Sequence, residues 1–325
     1  MTLGVAVSLC APRARAFCRT TTCDVPASKL TPDCVPALRN ADGCTEKGAP
    51  LYWPNVCVSF GVQENGSKKR GVSWEVTDSL VGRALATWST VDCGGGGHPS
   101  LKIYDLDRLR TTDGSVVESP IVCPVPEFNE SAPNANVWMY RDDDWPYTNV
   151  PDTLALTTVT FDMTGRILDA DVEINSFAAN LTTSDTNSGV DLSSIITHEA
   201  GHFLGLSHEA FAHATMNAAY DAREPFDFRT LEADDVAGIC TIYPPDRGAP
   251  DCHDRPTPLH GFTRFCADES DTATSRSELS MAGAGCACSL DQSNGRADAA
   301  SLSLFAAASA VGARRTMKKR RRRDT

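Results

Sequence analysis

The eleven residues His198-Glu199-Ala200-Gly201-His202-Phe203-Leu204-Gly205-Leu206-Ser207-His208 constrain this chain more than any other stretch. On a helix His198 and His202 are one turn apart, so both imidazoles point to the same side and can share a cation. Glu199 lies only about 60° from His202 on the same helical wheel, so it borders that cation without ligating it. Gly205 can take a positive φ and end the helix sharply. The chain then turns back and delivers His208 as a third nitrogen. Three neutral imidazoles are a zinc set with one position open for water, and Glu199 is placed as the general base. The plain alternative, an amphipathic helix with solvated histidines, does not account for three of the chain's seven histidines at these spacings.

The surrounding chain reads as an α+β domain. The spacing of Leu80, Val81, Ala84, Leu85, Trp88 and Val91 predicts a helix over 74–91. Asn55 to Val62, Leu101 to Tyr104, Val137 to Tyr140, Leu154 to Phe161 and Ile167 to Ile174 read as strands, with a turn at 163–165. Asp191 to Leu204 carries the histidines, with Asp191 or Ser193 as N-cap. Leu231 to Ile242 is a closing helix stopped by Pro244-Pro245. The run Gly94 to Gly97 lacks the Lys and Ser/Thr of a phosphate loop and reads as a turn.

Thirteen cysteines are more than a reducing compartment tolerates. Ten of them, Cys18 to Cys266, fall outside the chain ends, which allows up to five disulfides. One loop is expected between Cys252 and Cys266. Cys18-x4-Cys23 has tolerable zinc spacing, but no second close pair completes four ligands. The N-terminus reads as a signal peptide over 1–16, with an apolar run at Leu3 to Ala11 and Ala14-Arg15-Ala16 before the cut. A Cys-rich segment (17–50), the zinc domain (51–245) and a Pro/Ser/Asp/Ala linker (246–285) follow. The net charge is −12; Arg314 to Thr325 hold eight Lys/Arg and one Asp, or +7, which leaves −19 on the other 313 residues. So acidic a body argues against nucleic acid as a partner.

The histidine stretch resembles the metzincins, with the pattern HExxHxxGxxH and a Met-turn. Ala214-Thr215-Met216-Asn217 is the Met-turn candidate. Met216 stands eight residues beyond His208, a short gap that looks like matrixins. Val190-Asp191-Leu192 and Leu231 to Tyr243 resemble matrixins too. The resemblance covers 51–243. It implies a twisted mixed sheet with an active-site helix and a C-terminal helix, and an endopeptidase acting on proteins or peptides. It places Met216 beneath the zinc ligands and lays an extended substrate along Leu154 to Thr160, although an ordinary core strand reads equally well. Departures are Glu209 after the third histidine, as in astacins, and the absence of a PRCGxPD peptide. Tyr220 reads as a packing residue before a transition-state donor. Asp169, Asp171 and Glu173 share one strand face. A solvated face is the favoured reading there, and Ca2+, as matrixins bind nearby, is the other.

Residues 286–325 join Cys286-Ala287-Cys288, an uncharged stretch Ala299 to Ala313 and a block of Lys and Arg. Together they resemble sorting tags of the MYXO-CTERM type. That implies export, attachment to a membrane or cell surface before processing, and a Gram-negative source. A basic tail on anionic surfaces is the alternative. Two further readings of the whole chain stand beside the matrixin-like one: an astacin-like metzincin, and a surface binding module that uses zinc only structurally.

Overall fold

The computed structural model describes residues 17–25, 29–35, 38–110, 115–186, 189–247, 258–266 and 284–290. The expected signal peptide, Cys252, and the tag beyond 290 lie outside these residues.

The fold is α+β, as the sequence pattern predicts. Strands β1 (Cys57–Val62) and β2 (Lys102–Asp105) flank helix α1 (Trp74–Ser89) in the chain. A short ribbon of β3 (Arg108–Arg110) and β4 (Val116–Glu118) follows. Then come β5 (Val137–Tyr140), β6 (Thr153–Phe161), β7 (Ile167–Ile174), and the two-residue strands β8 (Leu181–Thr182) and β9 (Val190–Asp191). Helix α2 (Leu192–Phe203), strand β10 (Ala219–Tyr220), helix α3 (Ala233–Ile242) and strand β11 (Ala284–Leu290) complete the order. The core of the sheet runs β6-β7-β5-β1-β2, and β11 and β10 extend it beyond β6. Strands β7, β5, β1 and β2 pair parallel, and β6 is antiparallel to β7.

Helix α1 starts where Ser73 accepts the Val76 N–H, and it ends two residues short of the predicted Val91. Its apolar stripe, Leu80 to Trp88, is buried against the sheet and α2. The Trp88 indole donates to the Thr197 carbonyl at 2.8 Å and so fixes α1 to α2. Two more side chains take up carbonyls that the end of that helix leaves without intrahelical partners. Trp53 Nε1 donates to Phe203 O at 2.8 Å, and the Tyr243 hydroxyl donates to Leu204 O at 2.9 Å.

Disulfides join Cys18 to Cys44, Cys23 to Cys34, Cys93 to Cys240 and Cys123 to Cys266, and Cys57 is also bonded. The expected Cys252–Cys266 loop is therefore wrong. Cys266 reaches Cys123 because residues 258–266 pack on the body instead of acting as linker. Asn134 donates to the carbonyls of Leu259 and Gly261, at 2.9 and 2.8 Å, and Val122 donates to Arg264 O at 2.8 Å. The Cys93–Cys240 bond ties the end of α1 to α3 across 147 residues. Replacing both cysteines with serine frees a long loop in the unfolded chain and is expected to cost about 2–5 kcal/mol. A denaturant midpoint unchanged by the double substitution would refute that contribution.

The solvated strand face expected for Asp169, Asp171 and Glu173 is also overturned. These side chains are 2%, 3% and 0% exposed. Segment 123–147 covers them. Asp171 accepts the N–H groups of Val137 and Glu127, while Glu173 pairs with Arg141 and the Tyr147 hydroxyl. The period-two pattern is real, but both faces of β7 are covered. Nor do the three carboxylates converge: among the described residues they are not one of the groups whose ligand atoms lie within 4.8 Å of one another.

Candidate metal centre

Helix α2 begins at Asp191, whose carboxylate accepts the Ser194 N–H at 2.8 Å and forms a paired contact with Arg229. The N-cap is therefore Asp191, not Ser193. The helix ends in a Schellman turn. Gly205 takes φ +97°, its N–H donates to His202 O at 2.9 Å, and Leu206 N–H donates to Gly201 O at 2.9 Å. A Cβ at Gly205 would lie 2.9 Å from the Leu51 carbonyl, so glycine is required for space as well as for conformation.

This turn brings His208 back over the helix. The three Nε2 atoms stand 3.1, 3.1 and 3.0 Å apart. Zn–N bonds of about 2.0–2.1 Å at tetrahedral angles need nitrogens about 3.3–3.4 Å apart, so the set fits zinc with a shift of a few tenths of an ångström. The tautomers agree. His198 Nδ1 donates to Thr215 O, and His202 Nδ1 donates to Leu206 O at 2.9 Å. Each ring thus turns an Nε2 lone pair toward the same point, the outer-shell arrangement typical of ligating histidines. Burial pushes the His198 ring down to about 4, and pushes His202 and His208 well below the usual imidazole range. All three are neutral at pH 7, as ligands must be. The solvated-histidine alternative fails on burial, since His198 and His202 are 0% and 1% exposed. Among the described side chains, no fourth His, Cys, Asp or Glu ligand atom joins this group.

Glu199 is fully buried, and its carboxylate accepts the Thr157 hydroxyl of β6. Thr157 was not singled out in the sequence; its only signal there is an inward position on an alternating strand. Met216 packs against the helix at Gly201. A Cβ at Gly201 would stand 2.2 Å from its Sδ and 2.8 Å from the Trp88 ring, so only glycine lets the methionine approach so closely. Asp235 of α3 holds the Met-turn, accepting the N–H groups of Thr215 at 2.8 Å and Met216 at 3.2 Å. The Cys-rich segment holds the loop to His208: Thr20 N–H donates to Gly205 O at 3.0 Å, and Ser207 N–H donates to Cys18 O at 3.0 Å. Tyr220 is buried, and its hydroxyl accepts the Asp191 N–H at 2.9 Å, which is the packing role. Glu209 is buried and raised to about 9, first by burial and then by Asp234 beside it.

Residues 130–244 match the family model of the matrixins. The chain is 43% identical to matrix metalloproteinase-19 of Mus musculus over 89 residues, 26% of this chain and 16% of that protein. It is 34% identical to matrix metalloproteinase-20 of Homo sapiens over 103 residues, 32% of this chain and 20% of that one. It is 43% identical to metalloendoproteinase 1-MMP of Arabidopsis thaliana over 58 residues, 18% of this chain and 15% of that one. The chain thus spans a fifth or less of the length of each of these relatives. Each match supports a matrixin-like metalloprotease domain.

Proposed function

We propose that this protein is an exported zinc endopeptidase of the matrixin-like type. The observation that carries the reading is the convergence of three neutral imidazoles, each turning Nε2 to one point, beside a buried glutamate. His198, His202 and His208 would hold the ion, which supplies Lewis acidity to polarise a peptide carbonyl and acidify a water. Glu199 takes the proton of the attacking water and passes it to the leaving amine as the C–N bond breaks. Thr157 positions that carboxylate by a hydrogen bond to it. The edge of β6 away from β7, which β11 holds here, is the one whose backbone groups would pair with an extended peptide. The disulfides favour an oxidising compartment, which supports export. The short gap from His208 to Met216 favours the matrixin type over the astacin type.

The test is metal dependence of peptide hydrolysis by the purified protein. Chelation is expected to abolish cleavage of a casein or gelatin substrate, and one equivalent of zinc is expected to restore it. Cleavage that survives full removal of zinc would overturn the reading. Stoichiometric zinc without cleavage would favour the structural zinc module.

A further inference from the structure

Strand β6 has two neighbours. On one side is β7; on the other is β11, contributed by the chain's own residues 284–290. The pairing is antiparallel, from Ala284 opposite Val159 to Ser289 opposite Thr153, with an irregularity at Cys288/Ser289. Beyond it β11 pairs parallel with β10, Ser289 opposite Ala219 and Leu290 opposite Tyr220. Strand β11 therefore runs between the free edge of the sheet and the segment that follows Met216. Cys286 stands opposite Thr157, the residue whose hydroxyl touches Glu199. The backbone of residues 284–290 thus crosses the metal centre at the level of its general base.

A strand edge has one row of N–H and C=O groups on each side and cannot pair with two partners at once. A peptide that reaches Glu199 by adding to β6 must take the place β11 holds. The competitor is tethered: 17 residues separate Ala284 from Cys266, which is bonded to Cys123. A tether of that length gives an effective concentration on the order of millimolar, well above a typical external substrate. We infer that residues 284–290 are the resident occupant of the peptide groove and hold the full chain in a restrained state until they are displaced. The inference rests on the peptidase reading for its consequence, but not for the strand pairing itself.

The test uses the full chain and the double variant Cys286→Pro/Ala287→Pro. Alternate amides of an antiparallel strand face its partner, so two consecutive prolines remove at least one paired N–H. The variant is expected to show kcat/KM for an external peptide raised about tenfold or more. Hydrogen exchange, followed in a Glu199→Gln background, gives a readout independent of activity. Amides of 284–290 are expected to be protected, and the amides facing them on β6 to lose protection in the proline variant. Fast exchange of 284–290 in the chain without prolines would overturn the inference, as would equal kcat/KM in two active proteins. If neither protein hydrolyses peptide, the peptidase reading fails, and exchange alone decides the occupancy.

Discussion

Glu199→Gln is expected to lower kcat/KM on a peptide substrate by about 10²–10⁴-fold while the protein keeps its full complement of zinc. Gln has the shape of Glu and keeps an oxygen for the Thr157 hydroxyl, so that contact survives. What disappears is the group that accepts the proton of water. The ligand set is untouched, because the three Nε2 atoms are oriented by Thr215 O, by Leu206 O and by the turn at Gly205. Parallel zinc analysis and steady-state kinetics on the two proteins decide the matter. Loss of zinc in proportion to activity would make Glu199 a structural residue and remove the catalytic assignment. Unchanged kinetics would remove it as well.

The parts of the fold visible in the sequence are those built by local periodicity. Strands β5 and β7 have the bounds their patterns predict, and α2 is one residue shorter at each end than predicted. The histidine triad is legible because it is compressed into eleven residues of helix and turn. Groups placed by long-range packing are not. Thr157 meets Glu199 across 42 residues of sequence, and Cys123 meets Cys266 across 143. The carboxylates of β7 looked solvated because alternation reports only which side of a strand a residue takes, not what covers that side. Strand β11 is Ala-Gly-Cys-Ala-Cys-Ser-Leu, poor in the β-branched and aromatic residues that mark a strand. Its pairing comes from the open edge of β6, which no reading of residues 284–290 alone could supply.

Asp235→Ala is expected to destabilise the protein by at least about 2 kcal/mol and to weaken zinc binding about 10–100-fold. The side chain is 1% exposed and takes the N–H groups of Thr215, Met216 and Glu232, the last at 2.9 Å. Burial raises its carboxyl above the usual range, and these backbone donors work against that rise. Alanine leaves the buried N–H groups of Thr215 and Met216 without an acceptor, each costing about 1–3 kcal/mol where water cannot enter, while the N–H of exposed Glu232 can turn to solvent. The loss spreads to the metal because Thr215 O orients His198 and Met216 Sδ supports the helix at Gly201. Asp235→Asn retains one acceptor oxygen but turns an amide toward the remaining donors, so its effect is expected to fall between alanine and the unaltered chain. A denaturant midpoint and a zinc titration on all three proteins separate the two consequences. A lower midpoint with unchanged zinc affinity would confine Asp235 to the fold. A shift in both, graded Asp, Asn, Ala, would make α3 part of the device that aims the first histidine.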